Sequence, residues 1–250
     1  MPNDVQDFFA RHASGYTVSQ SHKTGKDLEM LTQLLHPQPQ DRLVDIAAGT
    51  GHTALHLRPL IAGAVLVDFT REMLDEAKGL AAERGLGIET LVADAVAIPL
   101  PDLSFTLATC RRAAHHFPDI PGFLSEAYRL LASGGRLGIS DMTADDAVID
   151  LLNRIERLRD KSHRSALSPQ GWRKAVEAAG FRVEALEIER EDYALDRWLA
   201  PVSPAEVDLG VVAGILGAAS PAEHEALGIH EEADGLHFVK SRTVLVAVRP

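Results

Sequence analysis

The sequence contains one cysteine, Cys110, and that scarcity excludes two things. A single thiol can close no intramolecular disulfide and can form no cysteine-cluster metal site. Aromatic residues are also few, at 5%, which leaves little for base stacking. Positive charge is outnumbered: 36 acidic residues against 25 Lys and Arg give a formal net charge of −11. That field repels nucleic acid and anionic membranes. The densest basic run, at 154–164, is diluted by Glu156 and Asp160. No apolar run approaches the length of a membrane span, and the polar opening at residues 1–7 has no signal-peptide character. The expectation is a cytoplasmic protein that acts on a small molecule, with no nucleic-acid partner and no membrane span. Oligomeric state is left open.

What is present is ordinary globular chemistry, 46% apolar and 24% charged over 250 residues, enough for one large α/β domain. The organising stretch is 43–54. A short apolar run, the pattern of a buried parallel strand, breaks into Gly49-Thr50-Gly51, after which helical spacing resumes at Leu55, Leu57 and Leu60. Strand, glycine turn and helix start make a nucleotide cradle, because glycines let backbone N–H groups approach a ligand. Asp45 stands four residues before Gly49. A carboxylate there suits an ammonium or a sulfonium-bearing ligand better than a pyrophosphate. The same stretch nevertheless satisfies G-x-G-x-x-A, so a nicotinamide-dependent oxidoreductase is the first alternative.

Further strands are expected at 64–68, 88–93, 104–110, 136–140, 181–188 and 243–248, with helices between. Thr70 is the expected N-cap of the helix whose stripe is Met73, Leu74, Ala77, Leu80 and Ala81. This alternation implies a doubly wound, mostly parallel sheet of seven strands. Residues 1–250 read as a single domain. Within it, 1–40 is an N-terminal lid carrying Phe8, Phe9, Tyr16 and a leucine-striped helix. Residues 190–240 form a helical, substrate-capping insertion before the last strand.

Three features coincide: Asp45-x-x-x-Gly49-x-Gly51, Asp68 closing the second strand, and Asp94-Ala95 closing the third. The chain thereby resembles the class I S-adenosylmethionine-dependent methyltransferases along nearly its whole length. The run 110–119, Cys-Arg-Arg-Ala-Ala-His-His-Phe-Pro-Asp, narrows the resemblance to the ubiquinone/menaquinone-biosynthesis methyltransferases. Segment 153–163, with Arg159-Asp160 and Ser162-His163, is similar to a YcgJ-like bacterial branch. Ala47 stands where many relatives have glycine, and Thr106 where relatives often have aspartate.

The resemblance implies S-adenosylmethionine as cofactor and S-adenosylhomocysteine as its product. Asp68 would accept both ribose hydroxyls, a geometry that serves NAD equally, with Phe69 and Met73 bordering the nucleoside. Asp94 would meet the adenine amino group, with Ala95 and Val96 bounding the ring. Asp45, Ala47, Gly49, Thr50 and Gly51 would surround the methionyl end. Arg111, at the carboxyl edge of the sheet, would meet that end or form a salt bridge.

His115 and His116 follow the same strand end. Either could take a substrate proton, since histidine titrates near neutrality, or both could shape the pocket. Tyr16, His22, Arg159 and His163 are substrate-side candidates. No further His, Asp or Glu stands at recognisable ligand spacing, so no metal is expected. The expected reaction is methyl transfer to a small acceptor of apolar or aromatic character. A non-methylating member of the fold is the second alternative.

Overall fold

The computed structural model describes residues 24–198 and 207–250. Tyr16 and His22 lie outside the described residues, as does most of the expected lid.

Strand β1 (Arg42–Ile46) is the centre of the parallel part of the sheet. It pairs in parallel with β2 (Gly63–Asp68) on one side and β4 (Phe105–Arg111) on the other. Beyond β2 lies the short edge strand β3 (Glu89–Val92), and beyond β4 lies β5 (Leu131–Thr143), both parallel. The last long strand, β8 (Gly235–Val248), then inserts antiparallel between β5 and β6 (Arg182–Ala194). The order is β3-β2-β1-β4-β5-β8-β6, with a short β7 (His230–Glu232) on β8 off that path. The seven-stranded, mostly parallel sheet is therefore present, with an eighth strand added. An all-parallel dinucleotide-binding sheet runs 3-2-1-4-5-6. The antiparallel β8 breaks that order, so the topology does not support the oxidoreductase alternative.

Both faces of the sheet are covered, which is why the central strands read as continuous apolar runs. Residues alternate between the faces with period two. Val44, Ile46, Val65 and Val67 pack with Phe123, Leu124, Ala127 and Leu130 of α4 (Ile120–Leu130) and with Trp172 and Val176 of α6 (Pro169–Ala178). Leu43 and Leu66 face the other way, toward α1 (Lys26–Leu35), α2 (His52–Leu57) and α3 (Arg71–Glu83). Asp119 and Ser168 cap α4 and α6 by accepting from Gly122 and Gly171 amides. Thr70 takes the N-cap position of α3, but its hydroxyl makes no capping bond.

Two expectations change in detail. The helix expected within the lid, α1, is a core helix: Leu28, Leu31 and Leu35 are fully buried. It lies so close to β5 that a Cβ on Gly138 would stand 2.9 Å from Leu31 and 3.0 Å from Leu35. The second change is in 190–240, expected to be a helical insertion. β6 and β8 both run into it as a ribbon, paired out to Ala194 opposite His237. Charged residues such as Arg190, Glu191 and Asp192 hide the two-residue alternation there. Between the arms stand α7 (Leu195–Trp198), α8 (Leu209–Gly217) and α9 (Pro221–Leu227). With α5 (Ile149–Arg159) they close a second apolar cluster around Leu152, Ile155, Trp198, Val212, Leu216 and Phe238.

Candidate functional site

The turn after β1 is built from three residues in the left-handed region: Ala47 at φ 54°, Gly49 at 55° and Gly51 at 79°. Gly51 is required twice over, since a Cβ there would meet Leu66 at 2.7 Å and Ala77 at 3.0 Å. Gly49 has open space where its Cβ would be. Ala47 holds a backbone angle that glycine adopts freely, which accounts for glycine being common there in the resembling family.

Asp45 pins this turn from below. One carboxylate oxygen accepts from Thr109 Oγ1 at 2.7 Å and the other from the Ala54 amide at 3.2 Å. Burial pushes its carboxyl up to about 7, against the pull of those hydrogen bonds. Asp68 ends β2 and ties the turn to the next strand. Its Oδ2 accepts from the Gly49 amide at 2.8 Å and its Oδ1 from the Thr70 amide at 2.9 Å. Asp94, just past β3, is exposed and accepts from the Val96 amide at 3.1 Å, with Val96 itself exposed. Phe69 is half-buried, and Met73 is buried in α3. The structure thus gathers Asp45, Gly49, Asp68 and Asp94 at the carboxyl ends of three adjacent strands.

Arg111 behaves differently from the expectation of a ligand contact or a surface salt bridge. Its guanidinium is buried and pairs bidentately with Asp27 of α1, at 2.7 and 2.9 Å. Arg112 grips the same carboxylate at 3.1 and 2.6 Å, and Ser140 Oγ donates to it at 2.9 Å. Burial opposes the charge on Asp27, but the two guanidiniums outweigh it and hold the carboxyl well below its usual range. Asp27 was not singled out in the sequence, because nothing in a leucine-striped helix marks one acid as buried.

Beyond β4 the chain makes a single 3-10 turn, Ala114–His116, which gathers a second group. His115 Nδ1 lies 2.5 Å from Asp141 Oδ1, and its amide donates to Asp141 Oδ2 at 2.8 Å. Asp141 sits near the end of β5 and is buried. Burial disfavours its charge, yet His115 and the hydrogen bonds together hold the carboxyl below its ordinary value.

His116 packs against His115 with ring centroids 4.0 Å apart and the planes tilted by 45°, and its Nδ1 lies 2.9 Å from Ser162 Oγ. That hydroxyl spends its single hydrogen on Asp160, 2.5 Å away, so it accepts from His116. His163 bonds Asn153 Oδ1 through Nε2 at 2.7 Å, and that oxygen also accepts from the Ala166 amide. The Nδ1 atom of His163 is buried without a hydrogen-bond partner. Burial and the neighbouring His115 push His163 down to about 4 and drive His116 lower still, so both rings are neutral. Among the three, His115 alone faces a carboxylate directly.

Arg159 belongs to another network. It pairs with Glu156 at 3.0 Å, and Glu156 also accepts from Lys240 and Trp198, each at 3.1 Å. Burial opposes the Glu156 charge, but Lys240 and Arg159 keep it ionised. Of the partners that sequence reading passed over, Asp141 left a signal: like Asp45 and Asp68, it is an acid where an apolar strand runs out. Ser162 was visible only as part of the 153–163 pattern, and Asn153 carried no mark of its role.

Comparison with known proteins agrees with this layout. A family described as "Methyltransferase domain" matches residues 44–139. The chain is 32% identical over 194 residues to the uncharacterised methyltransferase YcgJ of Bacillus subtilis, covering 76% of this chain and 77% of that one. It is 35% identical over 149 residues to the ubiquinone/menaquinone biosynthesis C-methyltransferase UbiE of Dinoroseobacter shibae, covering 56% of this chain and 59% of UbiE. The crystal structure of BH2331 from Bacillus halodurans superposes with a TM-score of 0.84 at 30% identity, covering 90% of this chain and all of that one. Among the described residues, no helix is long and apolar enough to cross a membrane.

Proposed function

This chain belongs to the class I methyltransferases, and on that premise we propose that it transfers the methyl group of S-adenosylmethionine to a small apolar or aromatic acceptor whose proton is removed by His115. The observation that carries the reading is the His115–Asp141 pair, seated at the strand ends beside the Asp45–Asp68 turn. When bound, the sulfonium supplies an already activated methyl group.

The residues do the rest. Asp68 offers its carboxylate to the ribose hydroxyls, while the Gly49 and Thr70 amides hold it in place. Asp94, Ala95 and Val96 stand where an adenine ring would lie against the end of β3. Asp45 acts through the turn that it anchors, since it is fully buried with its oxygens turned to Thr109 and the Ala54 amide. With its hydrogen on Nδ1 directed to Asp141, His115 presents a basic Nε2, and the carboxylate stabilises the imidazolium formed on proton uptake. His116 and His163, both neutral, flank the His115 ring at centroid distances of 4.0 and 5.5 Å and would orient the acceptor.

Two measurements test this. Titration calorimetry should show S-adenosylhomocysteine binding at one site and NADH not binding. Methyl-labelled cofactor incubated with a small-molecule extract should yield a labelled product by mass detection. Binding of NADH alone would overturn the cofactor, and failure of any extract to accept label would overturn methyl transfer to a small molecule.

A further inference from the structure

Away from the strand ends, the ribbon of β6, β8 and β7 brings two histidines and a carboxylate to one face. His230 is directly opposite His237 in the β7–β8 register, and Ala194 is opposite His237 in the β6–β8 register. Residues two apart on a strand share a face, so Asp192 lies diagonally beside His237. His237 Nδ1 is 2.7 Å from Asp192 Oδ2, and His230 Nε2 is 3.9 Å from Asp192 Oδ1. The two rings are 5.4 Å apart, and one ligating atom from each of the three residues lies within 4.8 Å of the others.

The outer nitrogens of both rings are already used. His230 Nδ1 donates to the Gly228 carbonyl at 2.8 Å, which leaves the Nε2 lone pair aimed at the cluster. His237 Nε2 bonds Asp234 Oδ1 at 2.8 Å, the carboxylate–imidazole support that orients metal-ligating histidines. We propose that Asp192, His230 and His237 form a binding site for a divalent transition-metal ion of the zinc type, clipping the β7–β8 hairpin to β6. Two imidazoles and one carboxylate are a donor set suited to such an ion and poorly suited to magnesium or calcium.

Tetrahedral ligands about 2.0–2.1 Å from zinc stand roughly 3.3 Å apart. The 2.7 Å contact must therefore open by roughly 0.6 Å, and the wider separations, all within 4.8 Å, must close by up to roughly 1.5 Å, which side-chain rotation supplies. The ion takes the place of the hydrogen shared by His237 and Asp192, which leaves to solvent. Glu232, with Oε1 3.5 Å from His230 Nε2, or a water completes the set. The sequence alone gives no hint of this site, since Asp192 is remote in sequence from the two histidines and no known ligand spacing is met.

Chelator-stripped full-length protein titrated calorimetrically with zinc chloride at pH 7.5 should bind one ion, with no binding of magnesium chloride. His230→Ala and Asp192→Asn should each weaken zinc binding by about tenfold or more. His230 is exposed on an edge strand, so its variant should keep the metal-free melting temperature. Amide exchange across residues 230–237 should slow on adding zinc to the native protein. Absence of zinc binding overturns the proposal. So does zinc binding that persists unchanged in His230→Ala, which would place the ion elsewhere, as among His115, His116 and His163.

Discussion

His115 and Asp141 hold each other by two bonds: ring Nδ1 to Oδ1 at 2.5 Å and backbone amide to Oδ2 at 2.8 Å. The amide bond fixes where the carboxylate sits, and the ring bond fixes which imidazole nitrogen is basic. His116, one residue on, meets only a hydroxyl. The two adjacent histidines therefore differ in chemistry.

His115→Gln should lower kcat by roughly 10²–10⁴-fold, with affinity for S-adenosylhomocysteine unchanged. Asp141→Asn should lower kcat in the same direction and shift the pH–rate profile, since the ring loses its orienting charge. His116→Gln should have much the smaller effect. Equal turnover in His115→Gln and wild type would remove the base and leave alignment of an already acidic acceptor.

Asp68→Ala removes the carboxylate proposed to hold the ribose together with its tether to the Gly49 amide. Charge-assisted hydrogen bonds of this kind contribute about 1.5–3 kcal/mol, so cofactor affinity should fall on the order of ten- to a hundredfold. Calorimetry on a folded variant gives the answer, and unchanged affinity would take Asp68 out of the site.

Ala47→Gly should raise stability modestly. A left-handed alanine costs roughly 1–2 kcal/mol, and the added freedom of glycine in the unfolded chain returns about 0.4–1 kcal/mol of that. The expected net gain is up to about 1.6 kcal/mol, read from denaturant midpoints. A loss of stability would mean that the turn carries no strain at φ 54°.

Asp27→Ala leaves Arg111 and Arg112 buried without their shared carboxylate. Removing one side of a buried ion pair costs about 3–5 kcal/mol. Chemical denaturation should show a loss of that order, far above that of the exposed pair partner Asp75→Ala. A loss equal to that of Asp75→Ala would show that the two guanidiniums find water instead.

The His163 ring, pushed down to about 4 by burial and by His115, stays neutral where the unfolded chain takes up a proton near 6.5. Its folded value is depressed, so its contribution to stability is full above about pH 6.5 and is lost as pH falls through 4. His163→Gln removes this titration. Melting temperatures followed from pH 7 to pH 4 should drop less steeply in the variant than in wild type, and parallel slopes would assign the acid sensitivity elsewhere.

The strand–turn–helix at 43–54 was legible in the sequence because its signals are local. An apolar run, glycines that tolerate left-handed angles, and an acid at the strand end all lie within a dozen residues. The same holds for Asp68 and Asp94, each an acid closing a short apolar strand. The ribbon arms of β6 and β8 were not legible, because beyond the second apolar cluster their faces carry charges and the alternation fades. Arg111 was visible as a residue at a strand end, but its partner lies 84 residues away on a helix with no local mark.

Local pattern therefore determined the element types, the glycine turn and the acids that ring it, since periodicity and backbone permissiveness depend only on near neighbours. Only the tertiary structure decided that Asp141 faces His115 rather than His116, that Asp27 binds two arginines, and that His230 meets His237. Those pairings depend on strand order and register, which long-range packing sets, and on burial, which makes each unpaired charge costly enough to select its partner.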